Sequence, residues 1–100
     1  MATLHCYLER GFGGEEVQVR LDGRVVFQDR ATTDLMMGFA AEITEPLAAE
    51  GDNVLDIRLP ESGLSERATL PGGQGDLWVR IRLEGGCLLA LVGTEPLGFL

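Results

Sequence analysis

The groups of this 100-residue chain best equipped for proton transfer, nucleophilic attack or metal ligation are one histidine, two cysteines, two serines and sixteen carboxylates. A nucleophilic triad would need His5 beside Ser62, Ser65 or Cys87, with a third group to orient the imidazole, and no nucleophile motif surrounds any of these residues. His5 therefore reads as a hydrogen-bonded structural side chain on an apolar N-terminal strand. Cys6 and Cys87 lie near opposite ends and, with one histidine, make no zinc spacing. Both fall in apolar runs, where a free thiol behaves as a small buried hydrophobe. A disulfide between them is the alternative if the first and last strands pair, contributing about 4 to 5 kcal/mol in the chain-entropy picture. Glu15 and Glu16 point to opposite faces of a strand, while Asp52, Asp56, Glu61 and Glu66 lie in or beside loops. Glycoside hydrolysis needs two carboxyls facing across a cleft about 5 to 9.5 Å wide, which a sandwich of this size seldom encloses. Asp52, Asn53 and Asp56 supply too few oxygens for calcium and read as turn formers. All eight basic residues are arginine, so Schiff-base and phosphate-loop lysines are absent. The inventory predicts a non-catalytic protein with no cofactor and no metal.

Binding chemistry is better represented. Trp78, Arg80 and Arg82 alternate and so share one strand face, where an indole beside two guanidiniums could stack a sugar ring or hold an acidic partner. The competing reading is a covered sheet face, with arginine stems packed over it and their charges in water. Val25, Phe27, Met36, Met37, Leu89, Leu91 and the Leu97, Phe99 and Leu100 tail together exceed what one small core needs, and contiguous apolar patches mark interfaces. A protein partner or a homo-oligomer follows, unless segments 30–50 and 60–75 cover both sheet faces internally.

These side chains must be positioned by strands. Asp22-Gly23, flanked by alternating valines, predicts a hairpin with a two-residue type I′ turn between Val17–Leu21 and Arg24–Gln28. That turn pairs Leu21 with Arg24, Val19 with Val26 and Val17 with Gln28, leaving Val25 and Phe27 on the opposite face. A three-residue turn would gather Val19, Leu21, Val25 and Phe27 on one face but would misplace the glycine; the two-residue turn is preferred. Thr3–Leu8 reads as a first strand, and Arg10-Gly-Phe-Gly-Gly14 as a turn, since a strand and not a helix follows it. Over 34–47, Leu35, Phe39, Ile43 and Leu47 recur every four residues while Met37, Phe39, Ala41 and Ile43 alternate. Gly38 and the Thr44-Glu-Pro-Leu run favour a strand running into a short helical turn. Val54–Leu59 alternates and ends at Pro60, Arg67–Leu70 is a short strand, and Leu77–Leu83 gives the cleanest period of two. Gly85-Gly86 turns the chain into Cys87–Val92, which has no polar face and so reads as central in a sheet or covered on both sides.

At 100 residues and 45% hydrophobic content the chain reads as one domain over 1–100 that buries roughly 60 to 70% of its unfolded surface. A net charge of −8 repels phosphate backbones and anionic lipid, so nucleic acid and membrane are poor partners. No secretory signal is visible in the N-terminal residues, and a cytoplasmic location is expected. Seven to nine short strands with at most one short helix predict an all-β fold, a small antiparallel β-sandwich of Ig-like or jelly-roll type.

Val17–Pro60 also resembles the middle of the jelly-roll or β-sandwich sugar-binding accessory domains attached to glycoside hydrolases. The shared elements are Leu21-Asp22-Gly23, then Phe39, then Ile43-Thr44-Glu45-Pro46-Leu47, then Gly51-Asp52-Asn53-Val54-Leu55 with Ile57 and Leu59. The resemblance implies a sandwich fold and carries over no sugar-binding residue. The expected function is a protein-interaction or assembly module, with a carbohydrate-binding accessory module as the alternative and a small hydrolase third.

Overall fold

Apolar side chains at every second position commit this chain to strands that are buried on one face only. In a computed structural model describing residues 2–48, 50–73 and 75–96, eight strands form two sheets. They are β1 (Thr3–Leu8), β2 (Gly13–Leu21), β3 (Arg24–Thr32), β4 (Ala41–Pro46), β5 (Asn53–Leu59), β6 (Leu64–Leu70), β7 (Leu77–Glu84) and β8 (Cys87–Gly93). The first sheet runs β4-β1-β7-β8 and the second β3-β2-β5-β6. The fold is the expected all-β sandwich. One pair departs from the antiparallel expectation: β1 and β7 run parallel, a pairing that needs a long crossover and has five strands to provide it. Among the described residues there is no helix, and none long and apolar enough to cross a membrane.

The inward residues of β1, β7, β2 and β5 make the core. Leu4, Cys6 and Leu8 meet Leu77, Val79 and Ile81 in the first sheet and face Val17, Val19, Leu55, Ile57 and Leu59 in the second, all essentially without solvent exposure. Each such aliphatic side chain contributes about 1.5 to 3 kcal/mol by burial, whereas exposed ion pairs such as Arg30–Glu61 are screened by solvent. Sheet association is therefore hydrophobic, and polar groups set local geometry.

The Asp22-Gly23 turn forms as expected, with φ of 52° and 82° and Leu21 opposite Arg24. The register beyond it differs from the expected one. Arg20 pairs with Val25 but Val19 pairs with Phe27, so Val26 is an extra residue in a β-bulge. The bulge resolves a conflict between turn and core, because it keeps Asp-Gly at the turn while placing Phe27 on the side of Val19, where it packs against the core. Only Val25 is left largely exposed.

The 34–47 stretch reverses the expected order, with the turn first and strand β4 after it, and no helical turn. β8 is an edge strand and not a central or covered one, with Leu89, Leu91 and Val92 exposed. Its neighbour is β7 and not β1, so Cys6 and Cys87 are both free. Cys6 is buried as expected. Cys87 is exposed, because it follows the Gly85-Gly86 turn on the outward side of the edge strand.

Candidate functional site

The outward residues of the first sheet bring aromatic and charged side chains together. Along β1 these are Thr3, His5 and Tyr7, followed by Glu9; along β7 they are Trp78, Arg80 and Arg82. Parallel pairing sets His5 beside Trp78 and Tyr7 beside Arg80. The His5 and Trp78 rings stack at 4.8 Å and 8°, and His5 Nε2 lies 3.2 Å from Asp76 Oδ2. The His5 bond and a second one from the Thr3 amide hold the Asp76 carboxyl below its ordinary value. Tyr7 packs edge-on against Phe39 and donates its hydroxyl to Glu42 Oε2 at 2.6 Å. His5 is thus hydrogen-bonded and stacked on its strand.

Beyond β1 the chain continues against β7, where the Glu9 amide donates to the Ile81 carbonyl and Leu83 N donates to the Arg10 carbonyl. Gly11 is indispensable in this passage. Its φ is +94°, and a Cβ there would lie 1.7 Å from the Leu83 carbonyl oxygen. This placement lays the buried Glu9 side chain between two guanidiniums: Arg80 Nε donates to Oε2 at 2.8 Å and Arg82 Nε to Oε1 at 2.5 Å. Burial alone would push the Glu9 carboxyl up, but the hydrogen bonds and charges of Arg80 and Arg82 outweigh it and hold the group below its ordinary value.

Beside this triad projects the loop Asp34–Gly38. Its base is closed by hydrogen bonds from Gly38 N to Asp34 O (2.8 Å) and from Asp34 N to Phe39 O (3.2 Å). The Asp34 side chain accepts the amides of Met36 and Met37, so the tip is held by its own backbone groups. Thr33 anchors the loop, donating from Oγ1 to the Glu9 carbonyl and accepting from the Phe12 amide. Leu35, Met36 and Met37 stand outward, 93%, 86% and 52% exposed.

Of the residues singled out in the sequence, Trp78, Arg80 and Arg82 do share one outward face, and none is fully buried. Their guanidiniums are held by Glu9. Met36 and Met37 occupy the loop tip, Val25 lies apart on edge strand β3, and Phe27 packs against the core rim. Leu97, Phe99 and Leu100 lie outside the described residues. Asp52 and Asn53 accept backbone amides of Gly72 and Ala48, as turn formers do, and Asp56 pairs with Arg67.

No family model, curated protein or solved structure matches this chain. The site therefore rests on its own geometry. Glu9, the 34–38 loop as a projecting knob and the neighbourhood of Leu35 were not found from the sequence. Glu9 is separated from its partners by 71 and 73 residues, and no local pattern announces a pairing of that range. Asp34 did carry a signal, since an aspartate two and three residues before exposed amides commonly closes a turn.

Proposed function

We propose that this sandwich is a non-catalytic protein-interaction module whose contact surface is the Leu35–Met37 loop and the adjoining outward face of β1 and β7. The observation that carries this reading is the loop. Three consecutive large apolar side chains are turned to solvent by a hydrogen-bonded turn that orders them in advance, so little conformational entropy is lost when they insert into a partner. Methionines suit such a surface because they adapt to irregular pockets. The net charge of −8 disfavours nucleic acid and anionic membrane as the occupant. Two free thiols suit a reducing compartment, in keeping with a cytoplasmic location. The test is capture from native extract with the wild-type protein and with a variant carrying Leu35→Ser, Met36→Ser and Met37→Ser. Both should unfold at the same denaturant midpoint, and only the wild type should retain its partner; equal capture by both would refute the reading.

One observation favours carbohydrate binding as a second reading, in keeping with the accessory-domain resemblance. Trp78 is stacked by His5 on its β1 side, but its β8 neighbour is Gly93, which has no side chain to cover the indole. An open groove of about 410 Å³ results, lined among others by Trp78, Arg80, Leu91 and Glu95. A Cβ at Gly93 would meet only the Trp78 carbonyl at 4.0 Å, so Gly93→Leu should fold and fill this groove. Oligosaccharides that shift Trp78 fluorescence in the wild type and not in Gly93→Leu would establish this reading, and a panel without any shift would remove it.

A further inference from the structure

We infer that the pocket between the 34–38 loop and β7 is a carboxylate-binding site that receives an acidic side chain from the protein partner; the inference rests on the interaction reading above and names the partner's chemistry. The pocket has a volume of about 300 Å³ and is lined by Glu9, Arg10, Thr33, Leu35, Gly38, Arg80 and Arg82. Three of the chain's eight arginines thus converge on one opening of a strongly acidic protein. Each is held in the same way, by a carboxylate that accepts from Nε: Arg10 from Glu84, Arg80 and Arg82 from Glu9. Those Nε bonds are the only hydrogen bonds of the three guanidiniums among the described residues, so their terminal amines keep their donors. No buried side-chain nitrogen or oxygen lacks a partner among the described residues, and the Arg10, Arg80 and Arg82 side chains are 59%, 38% and 18% exposed, so these amines reach solvent. A guanidinium fixed at Nε and open at its two terminal nitrogens is prepared for end-on, bidentate binding of a planar carboxylate.

Glu9 acts as a positioning residue. It is buried, it orients two guanidiniums at once, and it offsets their mutual repulsion. Three guanidiniums against the carboxylates of Glu9 and Glu84 leave one surplus positive charge, which matches a single carboxylate better than a doubly charged phosphate. Leu35 forms the apolar wall, so an aspartate or glutamate flanked by an apolar residue fits the pocket and the loop together.

The test is titration of the isotope-labelled full chain with hexaglutamate, with a phosphoserine peptide and with hexalysine, following the arginine Nε–H resonances by NMR. Hexaglutamate should shift Arg10, Arg80 and Arg82 saturably, and affinity should fall at least about tenfold in Arg80→Gln and in the more exposed Arg10→Gln, which keeps the test decisive if Arg80→Gln is poorly folded. A response to phosphoserine alone, to hexalysine equally, at Arg20 or Arg58 instead, or to none of the peptides would overturn the inference. If the pocket fails while the Leu35–Met37 variant still loses its partner, the carboxylate site falls and the interaction reading stands. If hexaglutamate binds and the loop variant keeps its partner, the interaction reading falls.

Discussion

Replacing Glu9 by Gln should destabilise the protein by about 2 kcal/mol at neutral pH. In the wild type, two charge-assisted hydrogen bonds, 2.8 and 2.5 Å long, converge on one buried carboxylate, each worth about 1.5 to 3 kcal/mol. Glutamine keeps one acceptor oxygen for one Nε and turns an amide donor toward the other guanidinium, so one such bond is lost together with the ionic attraction. Removing one partner of a fully buried ion pair costs about 3 to 5 kcal/mol, and the partial exposure of Arg80 and Arg82 lowers that figure. The expected loss corresponds to about 10 °C in Tm for a domain of this size. The wild type should also carry a pH signature. Because the folded state holds the Glu9 pKa down, its contribution is fully present above the unfolded pKa and is lost as pH falls through the lower folded value. Urea unfolding followed by the fluorescence of Trp78, the one tryptophan, measures both effects. The gap between wild type and Glu9→Gln should be widest near neutrality and narrow in acid. Equal midpoints at neutral pH, or a gap that does not change with pH, would refute the role assigned to Glu9.

Gly11→Ala should cost about 3 kcal/mol or more, since it adds a Cβ 1.7 Å from the Leu83 carbonyl at a φ of +94°; a midpoint within error of wild type in the same urea assay would contradict the passage described here. The single tyrosine, Tyr7, should ionise with a midpoint of about 12 by phenolate absorbance, its hydrogen bond to Glu42 being the main cause and burial the next. Its folded pKa is raised, so the associated stability is present below the unfolded value of about 10 and is lost between there and about 12, a loss that Tyr7→Phe should abolish. Thiol labelling of the native protein should be biphasic, fast at exposed Cys87 and slow at Cys6, whose thiol burial pushes up to about 12; two equally fast thiols would show that Cys6 is not in the core.

Where chemistry is local, the sequence was informative. Asp22-Gly23 adopts the positive-φ turn its residues call for, Gly85-Gly86 does the same, and Leu77–Glu84 alternates between core and outward face as its pattern predicts. Where two local rules conflict, the outcome depended on tertiary contacts. The turn wanted Asp-Gly at its centre and the core wanted Phe27 opposite Val19, and a bulge at Val26 satisfied both. Over 34–47 the period of four and the period of two overlapped, and the pairing of β4 with β1, together with the Asp34 turn, decided for strand after loop. For the site, alternation placed Trp78, Arg80 and Arg82 on one face. The parallel neighbour that brings Glu9 and His5 to them follows from the order of strands in the sheet, which no short stretch of residues encodes.

Site-specific photo-crosslinking in living cells tests whether the Leu35–Met37 loop is the contact surface. A photoreactive amino acid is placed at Met36 in one protein and, for comparison, at exposed Thr69 on the second sheet in another. A discrete adduct should form from position 36 and disappear when Leu35 and Met37 are changed to serine, with no matching adduct from position 69. The same adducts from both positions, or none from position 36, would show that the loop is not the contact surface.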